Sequence, residues 1–163
     1  MKFAKILVPL DGSALAETAL PTAVQLAKEQ AAALVLMRAV EAWGATSDVV
    51  EAEIRVVREA EHYLAKLANL LRANGCKHVD TSVWYGAPAR SVVDAASAQQ
   101  ADLIVMTSHG RGGISRLIMG SVAESVLRGT TTPILLLRAG GAGVFQPDGK
   151  AQRVRATADG AVA

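Results

Sequence analysis

One cysteine, Cys76, occurs in 163 residues. That excludes a disulfide framework within the chain and any zinc site built from several cysteines, and it points to a reducing compartment, the cytoplasm. Charge of one sign is also scarce: Lys and Arg number 17 against 15 Asp and Glu, a net charge of +2. The basic residues are scattered and form no stripe, so no nucleic-acid partner is expected. Apolar runs such as Ala31–Met37 and Ile134–Leu137 fall well short of the roughly 18 residues that cross a bilayer, and no membrane partner is expected. Lys2 and Lys5 begin like a signal peptide, but the apolar stretch from Ile6 ends at Asp11, which argues against export. No G-x-x-x-x-G-K-[ST] occurs, which excludes a P-loop NTPase, and no G-x-G-x-x-G follows the first apolar run. No histidine or carboxylate pair has metal-ligand spacing, and Ser13, Ser108 and Ser121 lack an evident base and orienting acid. Aromatic residues, at 4%, are too few to favour a flavin site.

What is present is apolar: 51% of residues, with a mean hydropathy of +0.27, enough for one core without staples. Five apolar runs alternate with stretches of helical period: Ala4–Val8, Leu34–Val40, Val79–Trp84, Leu103–Met106 and Ile134–Leu137. Runs apolar at consecutive positions suit strands covered on both faces, so the pattern predicts an α/β fold with a mainly parallel sheet of five strands. After the first run Ser13 is a candidate helix cap, and Ala16, Ala19, Leu20, Ala23, Leu26 and Ala27 mark a helical face on which Pro21 is expected to make a kink. A second helix sets Ile54, Val57, Leu64, Leu67 and Leu71 on its apolar side and Glu51, Arg55, Arg58, Glu59 and Lys66 on a solvated side, with Asn74-Gly75 as its stop. A third starts at Pro88 and carries Val92, Val93 and Ala96. A fourth starts at Gly120-Ser121, where Ser121 and Glu124 have the spacing of a capping box. Residues 1–138 are expected to form one domain, and 139–163, opening with Ala-Gly-Gly-Ala-Gly, a disordered tail.

In open parallel sheets, ligands bind beyond the carboxyl ends of the strands, where successive connections leave for opposite faces. Two segments fall there. Pro9-Leu10-Asp11-Gly12-Ser13 leaves the first strand; Asp11 offers a carboxylate to ribose hydroxyls or base nitrogens, and also reads as a plain turn and helix-start signal. Thr107 to Gly113, continuing to Gly120-Ser121, exceeds the roughly two to six residues usual between a strand and a helix. Gly110, Gly112 and Gly113 let successive N–H groups form an anion nest, and a helix start at Gly120-Ser121 adds further N–H groups and the positive dipole end. This suits phosphate; the alternative is a flexible loop with an ordinary cap. His109 is placed to contact a phosphate or to face solvent, while His62 and His78 read as surface residues.

With Asp11-Gly12-Ser13 after the first strand, Gly86-Ala87-Pro88 after the third and T-S-H-G-R-G-G-I-S-R-L-I-M-G-S after the fourth, residues 1–138 resemble the universal stress protein family. The family's G-x2-G-x9-G-[ST] motif sets Gly110 at its second glycine, Gly120 at its third and Ser121 in the last slot, while Thr107 stands where its first glycine belongs. The resemblance implies a doubly wound, Rossmann-like open sheet of strand order 3-2-1-4-5, ATP as ligand with or without Mg²⁺, and a homodimer paired through the fifth strand. It implies that Pro9, Leu10, Asp11, Ala39 and Met106 line the adenine and ribose side, and that Thr107, Gly110, Gly120, Ser121 and Val122 hold ribose and phosphates. Thr107 either crowds the ligand or adds a hydroxyl contact. Family members divide into ATP binders and nonbinders, so two readings stand: a nucleotide-binding regulatory protein of the stress response, and a ligand-free interaction module of the same fold. No residue is well placed by sequence to orient a water, so any hydrolysis or autophosphorylation is expected to be slow. A receiver domain is set aside because the third strand ends in Trp84-Tyr85, without a phosphoacceptor aspartate.

Overall fold

Strand β1, Lys5–Pro9, lies at the centre of the fold, and its Ile6, Leu7 and Val8 have no solvent exposure. It pairs in parallel with β2 (Ala33–Val40) on one edge and β4 (Leu103–Thr107) on the other. Strands β3 (Val79–Tyr85) and β5 (Ile134–Leu137) complete one open sheet of order β3-β2-β1-β4-β5, parallel throughout. Both the strand count and the order implied by the resemblance hold, and each strand starts and ends within one residue of its apolar run. The computed structural model describes residues 2–41, 47–108 and 120–138.

Five helices among the described residues cover the two faces of the sheet: α1 (Ala14–Glu17), α2 (Leu20–Gln30), α3 (Ser47–Ala73), α4 (Pro88–Ala98) and α5 (Ser121–Gly129). The two-residue period of the strands sorts their side chains. Ile6, Val8, Leu34, Leu36 and Val105 pack with Leu20 and Ala23 of α2 and with Leu64 and Leu71 of α3. Leu7, Val35, Met37, Ile104 and Met106 pack on the opposite face with Val92 and Ala95 of α4 and Ala123 and Val126 of α5. No helix among the described residues is long and apolar enough to cross a membrane.

Two local expectations are corrected. The kink at Pro21 is instead a break: α1 stops at Glu17, the hydroxyl of Thr18 donates to Leu15 O at 2.6 Å, and α2 begins at Leu20 with Pro21 in its first turn. A proline there leaves no N–H unpaired and its fixed φ suits a helix start. Ile54, expected in the core, is 47% exposed, whereas Leu64 and Leu71 are fully buried. The reason is length. Helix α3 has 27 residues, about 40 Å, against about 25 Å for a strand of seven or eight, so its first turns overhang the carboxyl edge of the sheet. Its charged side is exposed as expected, and it ends where Asn74-Gly75 predicts, with Gly75 at φ +89° and Cys76 N donating to Leu71 O at 3.0 Å.

Helix α2 ends in Ala31, held in the left-handed region at φ 55° and ψ 34°. A side chain there crowds the following carbonyl, and Ala31 is exposed, so removing its Cβ opens no cavity. Ala31→Gly is expected to stabilise the protein by about 0.5–1 kcal/mol, the strain relief exceeding the added freedom of the unfolded chain. The measurement is urea unfolding: a higher midpoint at unchanged slope supports the strain, and an unchanged or lower midpoint contradicts it.

Candidate functional site

The connections after β1 and β4 leave for opposite faces, α1 and α2 to one side and α5 to the other, so a crevice opens between the carboxyl ends of these two strands. Hydrogen bonds pin both walls. Leu10 N donates to Met37 O at 2.8 Å, which fastens the loop after β1 to β2. Gly120 N donates to Ser108 O at 2.6 Å, which fastens the start of α5 to the end of β4, and Ser108 N donates to Leu137 O at 2.8 Å. Ile6 lies beside Leu103 and Leu7 beside Ile104, a register that carries Pro9 level with Met106. The loop after β1 also bonds to itself: Asp11 Oδ1 accepts from Ser13 N at 2.9 Å, and Ser13 Oγ caps α1 by accepting from Ala16 N at 3.1 Å.

Pro9, Leu10, Asp11, Met106, Thr107, Gly120, Ser121 and Val122 thus converge on one end of the sheet, with Ala39 two residues beyond Met37 on the neighbouring strand. Burial divides them. Leu10 packs with the first-face core, while Ala39 and Met106 pack with the second. Asp11 is half-buried and Ser121 and Val122 are exposed. Thr107 is buried, as Leu10 and Met106 are. Gly110 lies outside the described residues, as do His109, Arg111, Gly112, Gly113 and the stretch 139–163. His62 and His78 are exposed, in keeping with surface roles.

The capping box is corrected. Gly120 is the cap residue, at φ −60° and ψ 144°, Ser121 is the first helical residue, and among the described residues no side chain caps α5. Glu124 accepts instead from Arg128 at 2.6 Å, one turn further on. The bond from Gly120 N to Ser108 O sets the cap one position ahead of the serine. A φ of −60° is open to any residue, so the backbone at Gly120 does not itself demand glycine. Glycine adds no side chain of its own at the start of a helix whose first N–H groups have no intrahelical acceptor and carry the positive end of the dipole.

Three residues beside the first loop escaped sequence reasoning. The Arg38 guanidinium lies 5.2 Å from the centroid of the Tyr63 ring, and a Cβ on Gly12 would stand 3.3 Å from its Nη1. The Tyr63 hydroxyl donates to Glu17 Oε1 at 2.9 Å. The signal available was Arg38 itself, a single charge inside the apolar run Leu34–Val40. Among the described residues no cluster of three or more histidine, cysteine or acidic side chains is arranged to hold a metal. An open groove of about 790 Å³ runs along α3 past Arg55, Glu59 and His62, and none of the candidate residues lines it.

Burial, and then the hydrogen bond to Glu17 and its charge, push the Tyr63 phenol well above its ordinary value, against an opposing pull from Arg38. The folded protein therefore holds this proton where the unfolded chain gives it up. The associated stability is complete below about pH 10 and is lost as pH rises beyond it. The urea midpoint is expected to fall more steeply above pH 10 in the native chain than in Tyr63→Phe; parallel declines would contradict the shift.

Residues 2–138 match the sequence profile of the Universal stress protein family. The universal stress protein YxiE of Bacillus subtilis is 31% identical over 151 residues, covering 83% of this chain and 99% of that protein. A universal stress protein solved in complex with cAMP is 24% identical, with a TM-score of 0.64 over 85% of this chain and 99% of the other. The universal stress protein from Archaeoglobus fulgidus in complex with dAMP is 22% identical, with a TM-score of 0.61 over 83% and 98%. At these identities the two structures establish the likeness of fold.

Proposed function

Since the chain belongs to the universal stress protein family, we propose that it is a cytoplasmic regulatory protein of the stress response that binds an adenine nucleotide, ATP with or without Mg²⁺, and is not an efficient ATPase. The observation that carries this reading is the meeting of the Asp11 loop, the end of β4 and the glycine-capped start of α5 at the reversal of strand order. The cAMP and dAMP complexes of proteins with this fold support the choice of ligand. In this reading Pro9, Leu10, Ala39 and Met106 border the adenine, and Asp11 accepts from ribose or base. Gly110, Ser121 and Val122 meet the phosphates through backbone N–H groups and the Ser121 hydroxyl, while Gly120, whose own N–H is held by Ser108 O, lets them approach without a side chain. Thr107, at the end of β4, stands with them against the ribose and phosphates.

Such a site stabilises bound phosphate in its ground state, and none of the described candidate residues supplies a base that orients water, so turnover below about one per minute is expected. Calorimetry with ATP at millimolar concentration and Mg²⁺ tests binding, and Gly120→Val is expected to abolish it at a stability cost of about 1 kcal/mol or less. No heat from the native chain with ATP, ADP or AMP would favour the ligand-free interaction module. Phosphate release at several per second that disappears in Gly120→Val would make the protein an enzyme.

The edge position of β5, half-buried along its length, supports a homodimer paired through that strand. Residues 1–138 then form the functional domain and 139–163 a dispensable tail. Light scattering at tens of micromolar is expected to give twice the chain mass both for the full chain and for a truncation after Arg138. A monomeric mass would overturn the dimer, and loss of assembly on truncation would overturn the dispensable tail.

A further inference from the structure

Arg38 is the only charged residue of β2, and it stands at the carboxyl end of that strand beside the loop that carries Asp11. Its Nη1, Cζ and Nη2 lie 3.3, 3.4 and 3.4 Å from the position of a Cβ on Gly12. Three nearly equal distances mean that the guanidinium plane faces the Gly12 backbone. The same group packs 5.2 Å from the ring centroid of Tyr63 on α3, whose hydroxyl is tied to Glu17 on α1. Gly12, at φ +83°, thus has Arg38 of β2 packed against one side, with Tyr63 of α3 and Glu17 of α1 behind the guanidinium, while its other side is open to solvent. Its neighbours are fixed as well: Leu10 by the bond to Met37 O, Asp11 and Ser13 by their bond to each other.

A left-handed glycine between two pinned residues decides where the preceding carboxylate sits, because its φ and ψ set the angle between the two arms of the loop. We propose that Arg38, stacked on Tyr63, is a positioning residue of the candidate site: it holds Gly12 in its left-handed conformation and so sets the place of Asp11 at the crevice. This inference rests on the nucleotide-binding reading of that site. It also gives a reason for arginine here. A planar guanidinium packs against both a backbone and an aromatic face, whereas the ammonium of a lysine is a hydrated point charge that fits neither.

The test compares the full native chain with Arg38→Lys, which keeps the charge without the plane, Arg38→Met, which keeps most of the apolar stem, and Tyr63→Phe, which keeps the ring. Affinity for ATP with Mg²⁺ is measured by calorimetry and hydrogen exchange is followed at the Leu10 and Ser13 amides, at a temperature where thermal unfolding shows every chain folded. Both arginine variants are expected to bind at least about tenfold more weakly and to exchange the Ser13 amide faster, with Tyr63→Phe within about threefold of native affinity. Native affinity in Arg38→Lys would mean that only the charge acts and would overturn the proposal. Unchanged exchange in both arginine variants would overturn it too, whatever their affinity. If the native chain itself binds no ATP, the reading of the site fails and this inference with it; native binding matched by the variants overturns this inference alone.

Discussion

A parallel strand buried on both faces and paired along both edges has used every group it owns, and β1 is in that condition. Its backbone is shared between β2 and β4, and its side chains alternate between two cores from which solvent is excluded. From Ile6 to Val8 nothing remains for a ligand. The chain becomes available only where it leaves the sheet, in Pro9–Ser13, and β4, buried from Leu103 to Thr107, is released in the same way at Ser108. Because the two strands are neighbours whose continuations depart to opposite faces, their ends part and leave a crevice between them. The location of the site thus follows from the burial of the sheet.

The two walls of that crevice are built by different means. The wall after β1 is held by side chains: Asp11 and Ser13 bond within the loop, and Arg38, itself stacked on Tyr63, packs against Gly12. The wall after β4 is held by backbone, through the Ser108 carbonyl and the Gly120 N–H, and ends in a helix start capped by a glycine. One wall offers a placed carboxylate and the other the positive end of a helix, which suit the two ends of a molecule with hydroxyls at one side and an anion at the other. Among the described residues the Arg90–Asp94 and Glu124–Arg128 pairs are exposed contacts one helical turn apart, of the kind that adds little to stability.

Local patterns failed where a neighbour in space outweighed a neighbour in sequence. Ser121 and Glu124 have the spacing of a capping box, but the carbonyl of Ser108, twelve positions earlier, takes the Gly120 N–H and shifts the cap by one residue. Ile54 has the period of a core residue and lies on the apolar side of α3, but the sheet ends before the helix does, so no strand reaches it. Pro21 was legible as an interruption, and only the packing of Ala19 and Leu20 into the first-face core shows that the chain turns and begins a second helix there.

The sequence by itself determined the strands, the class of fold and the two loops in which function is sought, because these depend on short-range quantities: the two-residue period of buried strands, the runs of apolar residues, and glycine where the backbone must be free. Its motifs also placed it in its family. It did not disclose that Arg38 packs against Gly12, that Tyr63 and Glu17 stand behind Arg38, or that Thr107 is buried. Those relations join residues from separate elements. They exist only once the parallel sheet has brought the carboxyl ends of β1, β2 and β4 side by side and laid α1 and α3 over the same face, since the backbone carries no record of which distant side chain will meet it until the core has closed.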